Sequence, residues 1–336
     1  MRPRILTFSP KNTAVHDMHL DALCMYADGS ECDVVKGNNG FRILLDFFAG
    51  KKKPNFLFVQ STGLINVLIL PLAKLLRIKV VYYLHEPTPL LRKIKENPFF
   101  KALIWHTVQC LDCLASDHVL VSRPILVKQA QSALLVSARK LSLAPLLMPK
   151  VSGAAADKPF RVTYLGRPDE RRYLQQFIDS SQLITDLGFR PTILTGNPAD
   201  LKKSFPEIPS TVEVFDKPNF SEELKAQVLA ETLCLWNPKR GEIAQSGVTA
   251  DAVRFGLAIL LTDKDPAYTG LIEQGIAVDF YRSQGDGFKN IAAIDPLMVS
   301  DAAKKVFSEQ HGGSAFVSSY LPLFLVGQPA KLAGDA

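Results

Sequence analysis

The sequence predicts an α/β chain built as two parallel-sheet domains of similar size. Three observations carry this expectation. Short β-branched and aromatic runs alternate with helical segments, which is the pattern of βα units around a sheet buried on both faces. The same rhythm runs through both halves of the chain. Between them lies a stretch, Lys150 to Lys158, with Gly153 and three alanines, which reads as a linker. With 336 residues, 47% of them hydrophobic and 21% charged, the chain is long enough to bury two ordinary cores.

In the first half, Arg4 to Ser9 reads as a strand. A helix follows to about Tyr26, capped by Asn12 or Thr13. The corner between them has no glycine-rich fingerprint, so a dinucleotide fold of the usual kind is not expected. Cys32 to Val35 reads as a short strand, and the apolar segment Phe41 to Phe48 has no clear period. Asn55 to Gln60 is a continuous apolar strand, Gly63 to Leu76 a helix, and Lys79 to Leu84 a further strand ending in His85-Glu86-Pro87. Phe99 to Ala115 is a helix, His118 to Val121 a strand, Ile125 to Gln131 a helix, and Leu134 to Arg139 the last strand of the domain.

The second half opens on Phe160 to Leu165, a buried strand that turns at Gly166 into Arg167 and an acidic helix start. Pro191 to Leu194, Thr211 to Phe215, Thr232 to Trp236 and Leu257 to Leu261 are strands. Ser221 to Ala230 is a helix capped by Ser221, and Thr249 to Phe255 a short helix. Gly270 to Gly275, Ala293 to Gln310 and Ser314 to Phe324 complete the domain, with a bend expected at Pro322. The boundaries are a first domain at 1–150, a linker at 151–158, a second domain at 159–325 and a frayed tail at 326–336.

A formal charge of +6 favours anionic partners. Nucleic acid is not expected among them, because no long basic run or basic–aromatic module is present. Five scattered cysteines point to a reducing compartment. Cys110 and Cys113 lie in a helix without a second pair, so they read as a buried face rather than a metal or redox site. The amino terminus enters a strand directly, without the apolar run of a signal peptide, and no apolar run reaches the roughly 18 residues of a bilayer span. A cytoplasmic chain is expected, resting on the inner face of a membrane where Lys51-Lys52-Lys53, Lys93, Lys95, Phe99, Phe100 and Lys101 mix basic and apolar side chains. The same residues read equally as an ordinary charged surface over core helices.

Parallel sheets keep their ligands at the carboxyl ends of their strands. Arg167, Arg171 and Arg172 crowd one such end, and a guanidinium fork matches phosphate oxygens. The competing reading is a solvated face with Asp169 and Glu170. His85 sits at another strand end, placed to donate to a hydroxyl or phosphate or to relay a proton; otherwise it is a core-edge histidine. His16 and His19 lie one turn apart on a helix expected to back onto the sheet. Asp251, near the start of a short helix, suits a pair of sugar hydroxyls, and equally an acid at a helix amino terminus. Ser246 and Gly247 bring backbone N–H groups to the same turn. Gly196 closes a neighbouring strand, and Glu242 stands in the polar loop that precedes Ser246.

Gly166-Arg167 with Arg172 five residues on, His85 at a strand end, and Asp251 five residues before Gly256 together resemble glycosyltransferase family 4, of the two-domain GT-B type. In that family a lysine stands where Arg172 does. The family's two glutamates fall here on Ile243, one place past Glu242, and on Asp251, so the double-glutamate motif is degenerate. The resemblance implies an α/β fold of GT-B type, two Rossmann-like domains facing across a cleft. It implies a retaining transferase that moves a sugar from a nucleotide diphosphate sugar to a glycan or lipid-linked glycan in polysaccharide biosynthesis. It gives catalytic roles to His85, Glu242, Arg167 and Arg172, and donor binding to Gly166, Arg167, Arg172, Gly196, Ser246, Gly247 and Asp251. With cationic groups placed at the diphosphate, no metal or other cofactor is expected. A nucleotide-sugar epimerase of the same fold and a catalytically inactive glycan-assembly protein are the alternatives.

Overall fold

The computed structural model describes residues 2–10, 14–37, 39–49, 53–151, 159–168, 173–218, 220–237, 247–261, 276–279 and 291–326. The chain divides into two compact units. One holds Met1–Lys150 and Ser308–Ala336, the other Val151–Glu242 and Ser246–Phe307.

The first unit follows β1 (Arg4–Phe8), α1 (Ala14–Ala27), β2 (Asp33–Lys36), α2 (Gly40–Phe48), β3 (Phe56–Gln60), α3 (Asn66–Leu75), β4 (Lys79–Tyr83), α4 (Leu90–Glu96), α5 (Phe99–Ala115), β5 (His118–Val121), α6 (Pro124–Leu134) and β6 (Leu141–Leu143). Its sheet is parallel with order β2-β1-β3-β4-β5-β6. Side chains alternate between faces along each strand. Leu57, Val59, Val80 and Tyr82 face a cluster that includes Ile43 of α2, Ile69 and Ala73 of α3, Cys113 of α5 and Leu126 of α6. Phe58 and Tyr83 face the other way, against His19 and Tyr320.

The chain order explains this division. Crossovers between parallel strands are right-handed. The step from β1 to β2 runs opposite to every later step, so α1 lies on one face while α2, α3, α5 and α6 lie on the other. One helix does not cover six strands. The remaining area is closed by the carboxyl-terminal helix, with segments Gly313–Ala315, π-helical Phe316–Tyr320 and Leu321–Val326. Phe324 packs edge-on against Phe56 at 5.6 Å, and Tyr320 donates to the Pro145 carbonyl at 2.7 Å. Residues 308–325, which the sequence assigns to the second domain, therefore pack with the first unit. Pro322 lacks the N–H that would close a regular turn, and the bend expected there is a π-helical turn directly ahead of it.

Two local expectations change. The unsettled segment Phe41 to Phe48 is the helix α2. Leu134 to Arg139 is not a strand: α6 ends at Leu134, Leu135 turns left-handed at φ 53°, and a single 3-10 turn spans Ala138–Lys140. The strand begins one residue later, where Leu141 to Leu143 register with Val119 to Val121.

The second unit follows β7 (Arg161–Leu165), α7 (Leu174–Asp179), α8 (Ser181–Asp186), β8 (Arg190–Leu194), α9 (Pro198–Ser204), β9 (Glu213–Phe215), α10 (Glu222–Ala230), β10 (Thr232–Trp236), α11 (Gly247–Phe255), β11 (Ala258–Leu261), β12 (Ala277–Asp279) and α12 (Pro296–Gln310), whose last turn passes into the first unit. Its sheet is parallel with order β12-β11-β10-β7-β8-β9. Ser221 caps α10 as expected, accepting from the Leu224 N–H at 3.2 Å. The short helices α4, α8 and α9 and the strand β12 have no counterpart in the sequence reading; the helix expected after Gly166 is α7, which begins at Leu174, while the acidic start at Asp169-Glu170 lies outside the described residues. The linker at 152–158 and the segment Gly270 to Gly275 lie outside the described residues. Thus both units are parallel α/β sandwiches, as the alternating pattern requires.

Two buried histidines give the first unit a pH signature. Burial, with the neighbouring charge of His16, pulls His19 down to about 3. Burial pulls His311 down to about 4, although its Nδ1 donates to the Leu146 carbonyl at 2.7 Å. An unfolded histidine takes up its proton near 6.5, so below that pH the unfolded chain binds protons the folded chain refuses. Each group then lowers stability by roughly 1.4 kcal/mol per pH unit until its folded pKa is reached. Asp112, pushed up to about 7 by burial, titrates with the opposite sign. The clean quantity is therefore the difference between variants. His311→Gln keeps a donor for Leu146 without titrating, and its urea midpoint gains on the wild type as pH falls from 6.5 to 5. A difference that stays constant over that range contradicts a neutral, buried His311.

Candidate functional site

In the first unit, polar side chains gather where β1, β3 and β4 end. Ser9 Oγ donates to the Gln60 carbonyl at 2.9 Å and lies 3.4 Å from both Ser61 Oγ and His16 Nδ1. Ser61 holds φ at 98°, a region that side-chain-bearing residues rarely adopt, at a cost of about 1–3 kcal/mol. Asn66 fixes that turn by donating to the Ser61 carbonyl and to Asp112. His85 leaves β4 half-buried, with its ring 4.6 Å from His16 and 4.8 Å from Tyr83. Residues i and i+3 on a helix diverge by about 60°, enough to separate the two histidines of α1. His19 enters the core, whereas His16 joins His85 at the sheet edge.

A hydrogen-bond chain sets the tautomer of His85. Tyr320 spends its only proton on Pro145, so it accepts from His19 Nε2–H at 3.1 Å. His19, neutral by burial, then accepts at Nδ1 from the Gln60 amide at 2.7 Å. The second amide hydrogen of Gln60 points to His85 Nε2 at 3.2 Å. His85 Nε2 is thereby an acceptor, and the neutral ring carries its proton on Nδ1. The chain leaves Gln60 Oε1 buried without a partner. Burial and both hydrogen bonds leave Gln60 no other orientation that serves His19 and Tyr320 together.

In the second unit, Gly166 sits at φ 117°, where glycine alone is unstrained, and its N–H binds the Leu194 carbonyl at 3.0 Å. The ends of β7 and β8 are thus tied side by side, which brings Gly166-Arg167 next to Thr195-Gly196. Tyr164 Oη donates to the Arg167 carbonyl at 2.6 Å and fixes the turn. The Arg167 side chain is exposed and reaches Asp200 at 3.2 Å. At the end of β10, Asn237 is 1% exposed. Its amide lies 3.4 Å from Thr249 Oγ1 in the first turn of α11, while Asn237 Oδ1 has no partner among the described residues. The first turn of α11, from Gly247, contains no acidic residue.

Asp251 has a different position from the one expected. It is buried, and both carboxylate oxygens accept from Lys225 at 3.2 Å, with Arg254 at 3.5 Å. Glu222 pairs in turn with Lys225 and Arg254. Burial pushes the Asp251 carboxyl up, and Lys225 and Arg254 pull it back. This carboxylate holds α11 to α10, and the role on a ribose is not one that its geometry provides. Arg171, Arg172, Glu242 and Ser246 lie outside the described residues. Sequence reasoning did not single out Ser9, Gln60, Ser61, Asn237 or Thr249. Gln60 and Asn237 did carry a signal, since each is an amide that closes an apolar strand.

Among the described residues, no group of three or more His, Cys, Asp or Glu side chains is placed to hold a metal ion, and no helix is long and apolar enough to cross a membrane.

No protein-family model and no curated protein matches the chain. Solved structures do. A glycosyltransferase from Rickettsia africae is similar with a TM-score of 0.63 at 10% identity, covering 96% of this chain and 98% of that one. Anabaena HepE in complex with UDP gives 0.62 at 12% identity, covering 94% and 96%. The UDP-GlcNAc 2-epimerase of Methanocaldococcus jannaschii gives 0.54 at 11% identity, covering 88% and 92%. The architecture is therefore the GT-B type, with two Rossmann-like domains. Glycosyltransferases and nucleotide-sugar epimerases both use this fold.

Two measurements test the site. Asp251→Ala removes the buried carboxylate that accepts from Lys225, and lowers stability by on the order of 3 kcal/mol. Nucleotide affinity of the folded fraction stays unchanged; a loss of affinity at unchanged melting temperature would return Asp251 to the ribose. Nitrogen NMR of labelled protein at pH 8 shows His85 protonated on Nδ1, and Gln60→Leu releases it to a tautomer mixture. A wild-type His85 protonated on Nε2 contradicts the hydrogen-bond chain.

Proposed function

We propose that the chain is a retaining glycosyltransferase of the family 4 kind. It would move a sugar from a nucleotide diphosphate sugar to a glycan or lipid-linked glycan. The observation that carries this reading is the paired demand at the carboxyl end of β10. Asn237 Oδ1 is a buried acceptor in need of a donor, and it lies against the first turn of α11, whose N–H groups need an acceptor. A nucleotide diphosphate meets both needs, with a hydroxyl or base N–H for the amide oxygen and phosphate oxygens for the helix.

The second unit holds the donor in this reading. Gly247, at the start of α11, presents its backbone N–H to the diphosphate, a role the resemblance also gives Ser246, and Gly166 and Gly196 let it approach the strand ends closely. Arg167 and Arg172 neutralise the charge that builds as the diphosphate leaves. The Arg167–Asp200 pair is exposed, and such pairs are worth about 0–1 kcal/mol, so a phosphate exchanges readily for Asp200. The first unit supplies the acceptor surface. His85, with its proton on Nδ1, donates to a hydroxyl of the reacting sugar, and the His16 ring packs beside it at 4.6 Å. Glu242 acts near the reacting sugar. The leaving diphosphate takes the proton of the attacking hydroxyl, so neither a protein base nor a divalent metal is required.

The likeness to a UDP-GlcNAc 2-epimerase favours a second reading, in which the same donor site epimerises the sugar without an acceptor. Incubating the protein with nucleotide sugars alone separates the two, because only an epimerase changes the sugar in the absence of acceptor.

Nucleoside diphosphates and their sugars raise the melting temperature of the protein. At a hundredfold excess over Kd the stabilisation is about 2.7 kcal/mol. Arg167→Ala weakens nucleoside diphosphate binding about tenfold or more and leaves nucleoside binding unchanged. Turnover persists in a chelator. Equal losses for nucleoside and diphosphate remove Arg167 from the phosphate, and a panel without any stabilising nucleotide removes the transferase.

A further inference from the structure

The outer layer of the first unit is formed by α3, α4 and α5, and it leaves apolar side chains in water on the side away from the sheet. On α3 and the turn before it, Leu64, Leu68 and Leu75 are 58%, 61% and 81% exposed, at spacings that share one face. On α5, Phe100, Ile104, Leu111 and Leu114 repeat the pattern, with Phe100 at 77%. Leu91 of α4 adds a further side chain, 76% exposed. These three helices are adjacent, α5 packing on both α3 and α4. Scattered exposed leucines need no explanation, but two parallel stripes on neighbouring helices form a contiguous apolar surface.

The charge of this layer is one-sided. The three helices carry Lys74, Arg92, Lys93, Lys95 and Lys101 against Glu96 and the buried Asp112; Lys74 pairs with Asp117 at 3.0 Å, Arg92 with Glu86 at 2.9 Å, and Lys93 donates to Gln109, so the surface charge rests mainly on Lys95 and Lys101. Lys95 and Lys101 flank Phe99 and Phe100, whose rings meet edge-on at 5.7 Å. We propose that this face docks on an anionic lipid bilayer, the apolar stripes entering the headgroup boundary and the lysines pairing with lipid phosphates. A second copy of the chain is a poorer occupant. A two-fold contact through the same face would set Lys95 and Lys101 of one copy against those of the other around the exposed Phe99 and Phe100. The face stands on its own residues, whatever chemistry the strand ends perform, and it would bring the protein to a lipid-linked acceptor.

Trp105 lies on α5, and the other tryptophan, Trp236, is buried in the second unit, so indole fluorescence reports on this surface. The full chain is mixed with vesicles of phosphatidylcholine containing roughly 30% phosphatidylglycerol, and with phosphatidylcholine alone. The protein sediments with the anionic vesicles, its emission shifts to the blue, and added salt weakens the binding. Phe100→Ser with Ile104→Ser reduces partitioning about tenfold or more, while melting temperature and nucleotide binding stay as in the wild type. Lys95→Ala with Lys101→Ala removes the preference for anionic lipid. No sedimentation of the wild type with anionic vesicles overturns the proposal, as does equal binding by the serine variant. A dimer in solution that the serine variant dissolves, with no vesicle binding, assigns the face to a second copy instead.

Discussion

A parallel sheet has to be covered on both faces, and this requirement governs the first unit. Because crossovers are right-handed, the order β2-β1-β3-β4-β5-β6 sends one helix to one face and four to the other. Local βα units therefore leave Phe56, Phe58 and Tyr83 without a full cover. The chain meets the deficit with its last helix, which returns from the end of the second unit to place Tyr320 and Phe324 over them. Burying two such aromatic side chains is worth several kcal/mol, with about 1.5–3 for each large apolar group. That is enough to hold a segment distant in sequence.

The closing helix also reaches the polar cluster at the strand ends. Tyr320 is both a packing residue and the first member of the hydrogen-bond chain that ends at His85. Its proton has one destination, Pro145, and every later donor and acceptor follows from that choice. The orientation of a histidine at the edge of one sheet is thus decided by a residue more than three hundred positions away from His19. The arrangement is costly, since it strands the Gln60 carbonyl oxygen and buries a neutral histidine. A protein that needed only a packed core would place apolar side chains there at lower cost.

Much of the fold was legible in the sequence because strands buried on both faces show as uninterrupted apolar runs. Phe99 to Ala115, His118 to Val121 and Thr232 to Trp236 coincide with observed elements. The helices α4, α8 and α9, of six or seven residues, were not legible, since two turns offer too few positions to establish a period. Leu134 to Arg139 misled because a helix end followed by a 3-10 turn has the apolar content of a short strand. Return of residues 308–326 to the first unit is a topological necessity that no local pattern records. At the site, Gly166, Arg167 and His85 were visible as polar or conformationally special residues at strand ends. Asp251 was visible too, but its burial with Lys225 depends on the packing of α10 against α11.

The two sheet edges differ in a way that bears on their division of labour. The first is internally committed: Ser9, Gln60, His19 and Tyr320 bond one another and fix the rings of His85 and His16 before any ligand arrives. Among the described residues the second is uncommitted, with an Asn237 oxygen lacking a partner, a first turn of α11 without acidic side chains, and the Arg167 guanidinium paired with an exposed aspartate. Preorganised groups serve a reacting centre, where reorientation during the reaction would raise the barrier. Unsatisfied groups serve binding, where a ligand supplies the missing partners and its affinity grows with the number it satisfies. This contrast is what the proposed division of labour rests on: donor binding assigned to the second unit, and orientation of the reacting sugar to the histidine pair of the first.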